Sequence, residues 1–302
     1  MAIDTATAQF LVAAKRAGVA FDRTLTLGRQ HLHVPQWLVD QITEEFEVAA
    51  PEADDDEAWR FADPLLRMLG AGVIDAIDAS DFEGATIVHD MNKPIDAQHH
   101  EQYDVVVDGG TLEHVFHFPT AIANCMHLVK PGGHLIVLSP ANNYCGHGFY
   151  QFSPELWFRV LCPENGFAVR RMVAVEAFAL GRWHEVTDPV IVGRRVELVG
   201  AHRVQIFTLA RRDKVVPVCE HLPQQSDYES AWDAQADESL RARPATARRK
   251  RFKRRIEHAV RKVAPWLAYT IRKWADRRVS RKCSFDRQAR AYRRVRAGEP
   301  RD

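Results

Sequence analysis

The fold is decided by two stretches, YDVVVDGGTLEHV at residues 103–115 and MHLVKPGGHLIVLSP at residues 126–140. Each contains a nearly continuous run of Val, Ile and Leu, which is typical of a strand buried on both faces. Residues 119–129 between the runs have a helical pattern, with Pro119 in the first turn, and Pro131–Gly133 is predicted to break the helix before the second run. This strand–helix–strand order predicts a parallel sheet covered by helices.

Other segments extend the same pattern in both directions along the chain. Residues 5–17, 36–46, 59–69 and 154–161 have the spacing of helices. We therefore predict an α/β fold with a doubly wound, mostly parallel sheet of seven strands. The predicted strands are 23–28, 73–78, 85–90, 103–108, 134–139, 168–178 and 204–210.

The charge divides the chain of 302 residues into two unlike parts. Residues 241–302 hold 23 Lys/Arg and 5 Asp/Glu, whereas the first 240 residues hold 18 basic and 35 acidic residues. We predict a domain at 1–215, a linker at 216–247 and a basic helical tail at 248–302. The net charge of +18 over residues 241–302 is typical of segments that meet an anionic surface.

The apolar residues of the tail are predicted to lie on one face of each of two helices within 248–278. The first face comprises Phe252, Ile256, Val260 and Val263, and the second comprises Leu267, Ile271 and Trp274. Basic amphipathic helices favour peripheral contact with a membrane. Docking on the acidic domain and binding of nucleic acid stay open, although the tail has no recognised nucleic-acid motif.

Five scattered cysteines without a CxxC pair favour a reducing compartment over a disulfide framework. No apolar run of about 18 residues, the length of a membrane span, occurs in the sequence. The N-terminal apolar stretch is short and has no basic leader, so it predicts a helix rather than a signal peptide. We predict a cytoplasmic protein whose tail contacts a membrane surface.

Three predicted strands end in a carboxylate, at Asp78, Asp90 and Asp108. Ligands of open α/β sheets bind beyond the carboxyl ends of the strands. Carboxylates there would repel a bare phosphate, but they can accept hydrogen bonds from ribose hydroxyls and from an exocyclic amine. The pattern therefore favours a nucleoside ligand and disfavours a dinucleotide oxidoreductase, whose pyrophosphate needs backbone N–H donors.

The string YDVVVDGGTLEHV, followed by a helix and LVKPGGHLIVLSP, resembles the class I S-adenosylmethionine-dependent methyltransferases over residues 20–212. The resemblance implies a Rossmann-like methyltransferase fold, a methyltransferase activity and S-adenosyl-L-methionine as cofactor. It also implies roles for individual residues. Asp78 would bind the ribose hydroxyls, Asp90 the adenine amine and Met91 the ring, while Asp108 and Gly109 would lie beside the methionine moiety.

The family's glycine-rich loop is altered here, because LTLGRQHLHVP retains only Gly28. Glycines at this point let the backbone approach the cofactor closely. Arg29 and Gln30 would instead hold the cofactor's carboxylate through their side chains. The other possibilities are that the site binds a different ligand or none, as in a non-catalytic binding module that keeps the fold.

The segment SPANNYCGHGFYQFSPELWF at 139–158 combines amides, aromatic rings and a histidine, which suits a sugar or another polar ring. We predict methyl transfer to a hydroxyl of a small molecule, a sugar or a lipid-linked glycan, with nucleic acid as a less favoured acceptor. His147 is the first candidate base and His114 the second. The pair His31 and His33 is too small a ligand set for a metal, and no metal site is predicted.

Overall fold

The computed structural model describes residues 2–49, 58–177, 182–220, 222–228, 232, 284–285 and 291–297. The predicted helices within 248–278 and the larger part of the predicted linker at 216–247 lie outside these residues. The helices are α1 (Thr5–Arg16), α2 (Gln36–Phe46), α3 (Asp63–Met68), α4 (Phe118–Leu128), α5 (Pro154–Val160) and α6 (Pro189–Val192). The strands are β1 (Ala2–Asp4), β2 (Arg23–Leu27), β3 (His31–His33), β4 (Val73–Asp78), β5 (Ile87–Val88), β6 (Tyr103–Asp108), β7 (Val129–Asn142), β8 (Phe167–Glu176), β9 (Arg182–Val186), β10 (Val204–Arg212) and β11 (Tyr292–Arg296).

The main sheet has the strand order β11-β9-β8-β10-β7-β6-β2-β4-β5, and β1 pairs with β3 in a separate two-stranded sheet. β9 and β10 run against the direction of the other strands of the main sheet. The predicted α/β fold with a doubly wound, mostly parallel sheet is therefore confirmed. No described helix has both the length and the hydropathy to cross a bilayer.

The main sheet has nine strands rather than the predicted seven. The two additional strands, β9 and β11, pair with each other at one edge of the sheet. β11 lies inside the predicted helical tail, so the helix prediction is wrong for residues 292–296. The buried ring of Tyr292 packs against Phe285, and Phe285 stacks on His184 of β9. These contacts accompany the pairing of β11 with β9 and outweigh the local preference for a helix.

The Pro-Gly-Gly segment does not separate α4 from the next strand, because β7 begins at Val129 and continues through it. Two glycines make this path possible. Gly132 has φ +81°, and a Cβ on Gly133 would lie 2.8 Å from the Asp104 carbonyl oxygen. The pairing of β6 with β7 shifts register at this point, between Tyr103 and Val105. The predicted break is thus an irregularity inside a longer strand.

Side chains alternate between the two faces of the sheet and form two apolar layers. Val106 packs in one layer with residues of α4 and α5, while Val105 and Val107 pack in the other with residues of α1, α2 and α3. All three valines are fully buried. Burial of each such side chain contributes about 1.5–3 kcal/mol to the stability of the fold, so the sheet is a rigid base for the residues at its strand ends.

Candidate functional site

The carboxyl end of β2 lies at the centre of the candidate site. Leu27 pairs with Ile77 of β4 on one side and with Asp108 of β6 on the other. Because neighbouring strands are about 4.8 Å apart, the ends of β4 and β6 are about 10 Å from each other. The predicted strand-end residues Gly28, Asp78 and Asp108 therefore come together.

Asp78 lies at the end of β4 with its carboxylate partly exposed. One carboxylate oxygen, Oδ1, accepts a 2.6 Å hydrogen bond from the N–H of Ala79, and the Asp78 carbonyl accepts from the N–H of His89. Both bonds fix the chain direction at the strand end. The partly exposed carboxylate therefore lies at the end of β4, where it can accept hydrogen bonds.

The loop after β5 is held by side-chain hydrogen bonds to the backbone. Asp90 accepts from the N–H and the side-chain amide of Asn92, and these bonds lower the pKa of Asp90. Asn124 of α4 donates to the Lys93 carbonyl at 2.8 Å and accepts from the N–H of Ile95. The loop therefore presents Asp90 as an ionised acceptor. Its neighbour Met91 is 5% exposed and packs in the core, which leaves little of its side chain for a ring.

Arg29 and Gln30, predicted to hold the cofactor's carboxylate, are both engaged by the protein. Gln30 is 1% exposed, and its amide nitrogen donates to the carbonyls of Leu27 and Gly28. A Cβ on Gly109 would lie 2.3 Å from the Gln30 Oε1, so Gln30 fills the gap between the ends of β2 and β6. Arg29 lies 4.1 Å over the ring of Phe61 and 3.6 Å from Asp63.

The geometry of this loop limits which cofactor can bind. Gly28 has φ +68°, and its N–H donates to the Ile77 carbonyl at 2.7 Å. The chain then forms β3, and the next helix, α2, begins only at Gln36. No helix N-terminus follows Gly28 directly, so the described residues lack the usual arrangement for a pyrophosphate. An adenosine held mainly by carboxylates fits them better.

The Asp108 side chain serves the turn that follows β6 rather than the surface of the crevice. It is 0% exposed, and its Oδ1 accepts from the N–H groups of Thr111 and Leu112. Burial, with the nearby Glu113 carboxylate as second cause, raises the pKa of Asp108. This differs from the predicted ligand-facing role. At this strand end, the partly exposed backbone of Gly109 and Gly110 remains available to a ligand.

Glu113 is the functional candidate that the sequence did not single out. It lies in the 3₁₀ turn Leu112–His114, is 2% exposed, and its Oε1 is 3.3 Å from Nε2 of His147. Its other oxygen, Oε2, is buried and has no hydrogen-bond partner within the part of the chain that the structure describes. Burial raises the pKa of Glu113. The signal in the sequence was an acidic residue beside His114 within an otherwise apolar segment.

The loop between β7 and α5 folds back over Glu113 and brings His147 to it. The Glu113 carbonyl accepts from the N–H of Phe149 at 2.7 Å. Gly148 has φ +67°, and a Cβ on it would lie 2.8 Å from the same carbonyl oxygen. The Tyr150 hydroxyl donates to the Phe116 carbonyl at 2.6 Å. A glycine at 148 is thus a condition for the contact between His147 and Glu113.

The two predicted bases, His114 and His147, lie together, with ring centroids 4.9 Å apart. Burial, followed by the charge of His147, lowers the pKa of His114. One ligand atom from each of Glu113, His114 and His147 lies within 4.8 Å of the others. Beside them, the exposed rings of Phe116 and Phe149 form an edge-on pair with centroids 6.1 Å apart. The arrangement joins proton-accepting groups to an aromatic surface.

No protein-family model and no curated protein matches this chain. Among solved structures, it is similar to 1,6-didemethyltoxoflavin-N1-methyltransferase from Burkholderia thailandensis, solved with 1,6-didemethyltoxoflavin and S-adenosylhomocysteine, at 12% identity and a TM-score of 0.38 over 70% of this chain and 80% of that one. It is also similar to a protein described as a sarcosine dimethylglycine methyltransferase from Galdieria sulphuraria, at 14% identity and a TM-score of 0.38 over 69% and 86%. A third similar structure, described as a methyltransferase from Bacillus halodurans C-125, has 10% identity and a TM-score of 0.37 over 67% and 97%. Likeness at this level assigns no activity to this chain, and its α/β fold rests on the strand order and directions given above.

Proposed function

We propose that this protein transfers a methyl group from S-adenosyl-L-methionine to a hydroxyl group. One observation carries the proposal: the ends of β4, β2 and β6 are adjacent in the sheet, and the turn after β6 carries Glu113 and His114, which meet His147 from the loop after β7. A nucleoside-binding edge and a proton-accepting cluster are thereby adjacent. That adjacency is what methyl transfer to a hydroxyl requires, since the acceptor must lose a proton.

In this proposal the cofactor is held at three strand ends. Asp78 accepts hydrogen bonds from the ribose hydroxyls, Asp90 accepts from the adenine amine, and the backbone at Gly109 lies beside the methionine moiety. The cofactor, when bound, supplies a methyl group on a positively charged sulfur. The protein's part is to exclude water and align the acceptor oxygen with that methyl group, because most of the rate comes from proximity and orientation.

The acceptor is proposed to lie against the exposed rings of Phe116 and Phe149, with its hydroxyl toward His147. Aromatic surface suits the apolar face of a sugar ring, which favours a sugar or a lipid-linked glycan as acceptor. Glu113 orients His147 through the 3.3 Å contact at Nε2. In the metal-free protein His147 is then the base that receives the hydroxyl proton.

Calorimetric titration with S-adenosylhomocysteine tests the cofactor part of the proposal. The wild-type protein should bind it in a 1:1 complex. Asp78→Ala should weaken binding about tenfold or more, because charge-assisted hydrogen bonds contribute about 1.5–3 kcal/mol. Asp81→Ala is the matched control, since Asp81 is an exposed carboxylate in the following loop, and it should leave affinity unchanged.

A non-catalytic binding module is the second candidate, and the packing of Gln30 favours it. Gln30 occupies space next to Gly109 that the family's glycine would leave open to a ligand. If the protein is such a module, titration with the cofactor at millimolar concentration should give no heat of binding and no thermal stabilisation. A Gln30→Gly variant separates the two. Under the enzyme proposal the wild type already binds the cofactor, whereas a site blocked by Gln30 would bind the cofactor only in the Gln30→Gly variant.

A further inference from the structure

We infer that Glu113, His114 and His147 form a binding site for a divalent transition-metal ion. These residues make the only group of three potential ligands that the described part of the chain brings within 4.8 Å. They come from two separate segments, the turn after β6 and the loop after β7. The sequence alone predicts no metal site at these three residues.

The arrangement has the dimensions of a metal site before any ion is bound. Glu113 Oε1 and His147 Nε2 are 3.3 Å apart. Metal bonds of about 2.1 Å place neighbouring ligand atoms about 3.0–3.4 Å apart, so this pair already has the required spacing. His114 completes the set. Both histidines are exposed, and the His114 ligand atom lies within 4.8 Å of those of Glu113 and His147.

A buried oxygen that has no hydrogen-bond partner among the described residues is a second, independent observation that points to a cation. Glu113 is 98% buried, and its Oε2 has no hydrogen-bond partner among the described residues. Nearby, Oδ2 of the fully buried Asp108 also has no partner in the described ranges. Two buried carboxyl groups in proximity are costly to ionise without a compensating positive charge. A divalent ion on Glu113 supplies that charge.

The ligand types define the class of ion. Imidazole nitrogens favour Zn²⁺, Fe²⁺, Co²⁺ or Mn²⁺ over Ca²⁺, which prefers a site made of oxygen ligands. Two histidines and one carboxylate leave coordination positions open, as in catalytic rather than structural sites. The exposed rings of Phe116 and Phe149, each two residues from a histidine of the cluster, form the proposed acceptor surface. An oxygen of the acceptor can therefore occupy an open position.

The catalytic role of the ion rests on the proposed methyl transfer. In the metal-bound form His114 and His147 are ligands, and the ion lowers the pKa of the hydroxyl that binds to it. The hydroxyl proton passes to solvent, and an oxygen lone pair forms the new bond to the methyl carbon. The carbon–sulfur bond breaks with its electron pair retained by sulfur, which yields the methyl ether and neutral S-adenosylhomocysteine.

Metal binding is measured directly on the untagged full-length protein, treated with chelator and titrated with Co²⁺. We expect saturation at one ion per chain and visible absorption bands of cobalt bound to nitrogen ligands. His147→Ala, His114→Ala and Glu113→Gln should each reduce affinity at least tenfold. His31→Ala is the matched control, because His31 also contacts a glutamate, Glu83 at 3.1 Å. It should leave cobalt affinity unchanged.

The inference is overturned if His147→Ala and His31→Ala bind Co²⁺ equally well, or if no saturable binding occurs. Thermal unfolding of each variant in chelator identifies loss of fold, and the exposed histidine variants are expected to fold normally. The result is independent of the cofactor titration. Cobalt binding without binding of S-adenosylhomocysteine would keep the metal site and reject the proposed function. Turnover unchanged by chelator would reject the catalytic role of the ion.

Discussion

Gly148→Ala tests whether the loop after β7 is held on Glu113 as the structure has it. Gly148 has φ +67°, a conformation that costs about 1–2 kcal/mol for an alanine. Its new Cβ would also lie 2.8 Å from the Glu113 carbonyl oxygen, and overpacking of that kind costs about 1–3 kcal/mol. The loop can relieve both costs by moving away.

Movement of the loop has its own cost, which limits the total effect. It breaks the two hydrogen bonds from the N–H groups of Phe149 and Tyr150 to the Glu113 carbonyl. At about 1 kcal/mol each, these bonds put the expected destabilisation of Gly148→Ala near 2 kcal/mol. Because His147 lies on the moved loop, the variant should also lose affinity for Co²⁺.

Gly146→Ala is the control, two residues away in the same loop. A Cβ at Gly146 meets nothing within 4 Å, and its φ is not in the left-handed region. This variant should be neutral or slightly stabilising, since alanine restricts the unfolded chain. Urea unfolding of both variants measures the difference. If Gly148→Ala is within about 0.5 kcal/mol of Gly146→Ala, the described packing of the loop is wrong.

Three further predictions concern other parts of the molecule. Burial, with the charge of Arg211 as second cause, lowers the pKa of His134 to about 4. Below about pH 6.5 the unfolded chain therefore binds a proton at this residue that the folded chain does not bind. The contribution of His134 to stability is present above that pH and is lost as the pH falls toward 4. In urea unfolding, His134→Gln should remove about 1 kcal/mol of the stability loss between pH 7 and pH 5, a value halved because the ring is partly exposed. An unchanged pH profile would show that His134 does not cause this loss. Asn124→Ala leaves the Ile95 N–H without its partner and should reduce the free energy of unfolding by about 2–3 kcal/mol. It should also weaken binding of S-adenosylhomocysteine, and thermal unfolding with and without this ligand measures both effects. Normal ligand affinity would show that this loop does not contribute to the site. Replacing Arg254 and Arg255 by Gln should reduce the affinity for phosphatidylserine vesicles, measured by sedimentation, at least tenfold, because each charge contributes about 1 kcal/mol. Sedimentation with phosphatidylcholine vesicles should not change. Equal sedimentation of variant and wild type would reject the membrane role of the tail.

The sequence predicted the parts of the fold whose signal is local. The Val-rich runs around Val106 and Ile136 identify buried strands because both faces of these strands meet apolar layers. β9 and β11 were missed because they are short and rich in charge, and their pairing depends on contacts distant in sequence. The Pro-Gly-Gly segment was misjudged because its glycines serve a register shift rather than a turn.

The candidate site was predictable where the fold alone positions a residue. Asp78 lies at a strand end because β4 ends there, and His114 follows β6 in the same way. The burial of Gln30 and of Glu113 was not predictable, since it depends on loops that fold back over the strand ends. The contact of Glu113 with His147 exists only because the loop after β7 packs on Glu113. Long-range loop packing, rather than composition, therefore decides the chemistry of this site.

A crystal structure with bound S-adenosylhomocysteine tests the central claim most directly. We predict that the ribose hydroxyls lie within hydrogen-bond distance of the Asp78 carboxylate, with the adenine toward Asp90 and the sulfur near Gly109. The sulfur should also lie on the side of the crevice that faces His147. Electron density for the ligand elsewhere, or a crevice still filled by Gln30 at saturating ligand, would contradict the account.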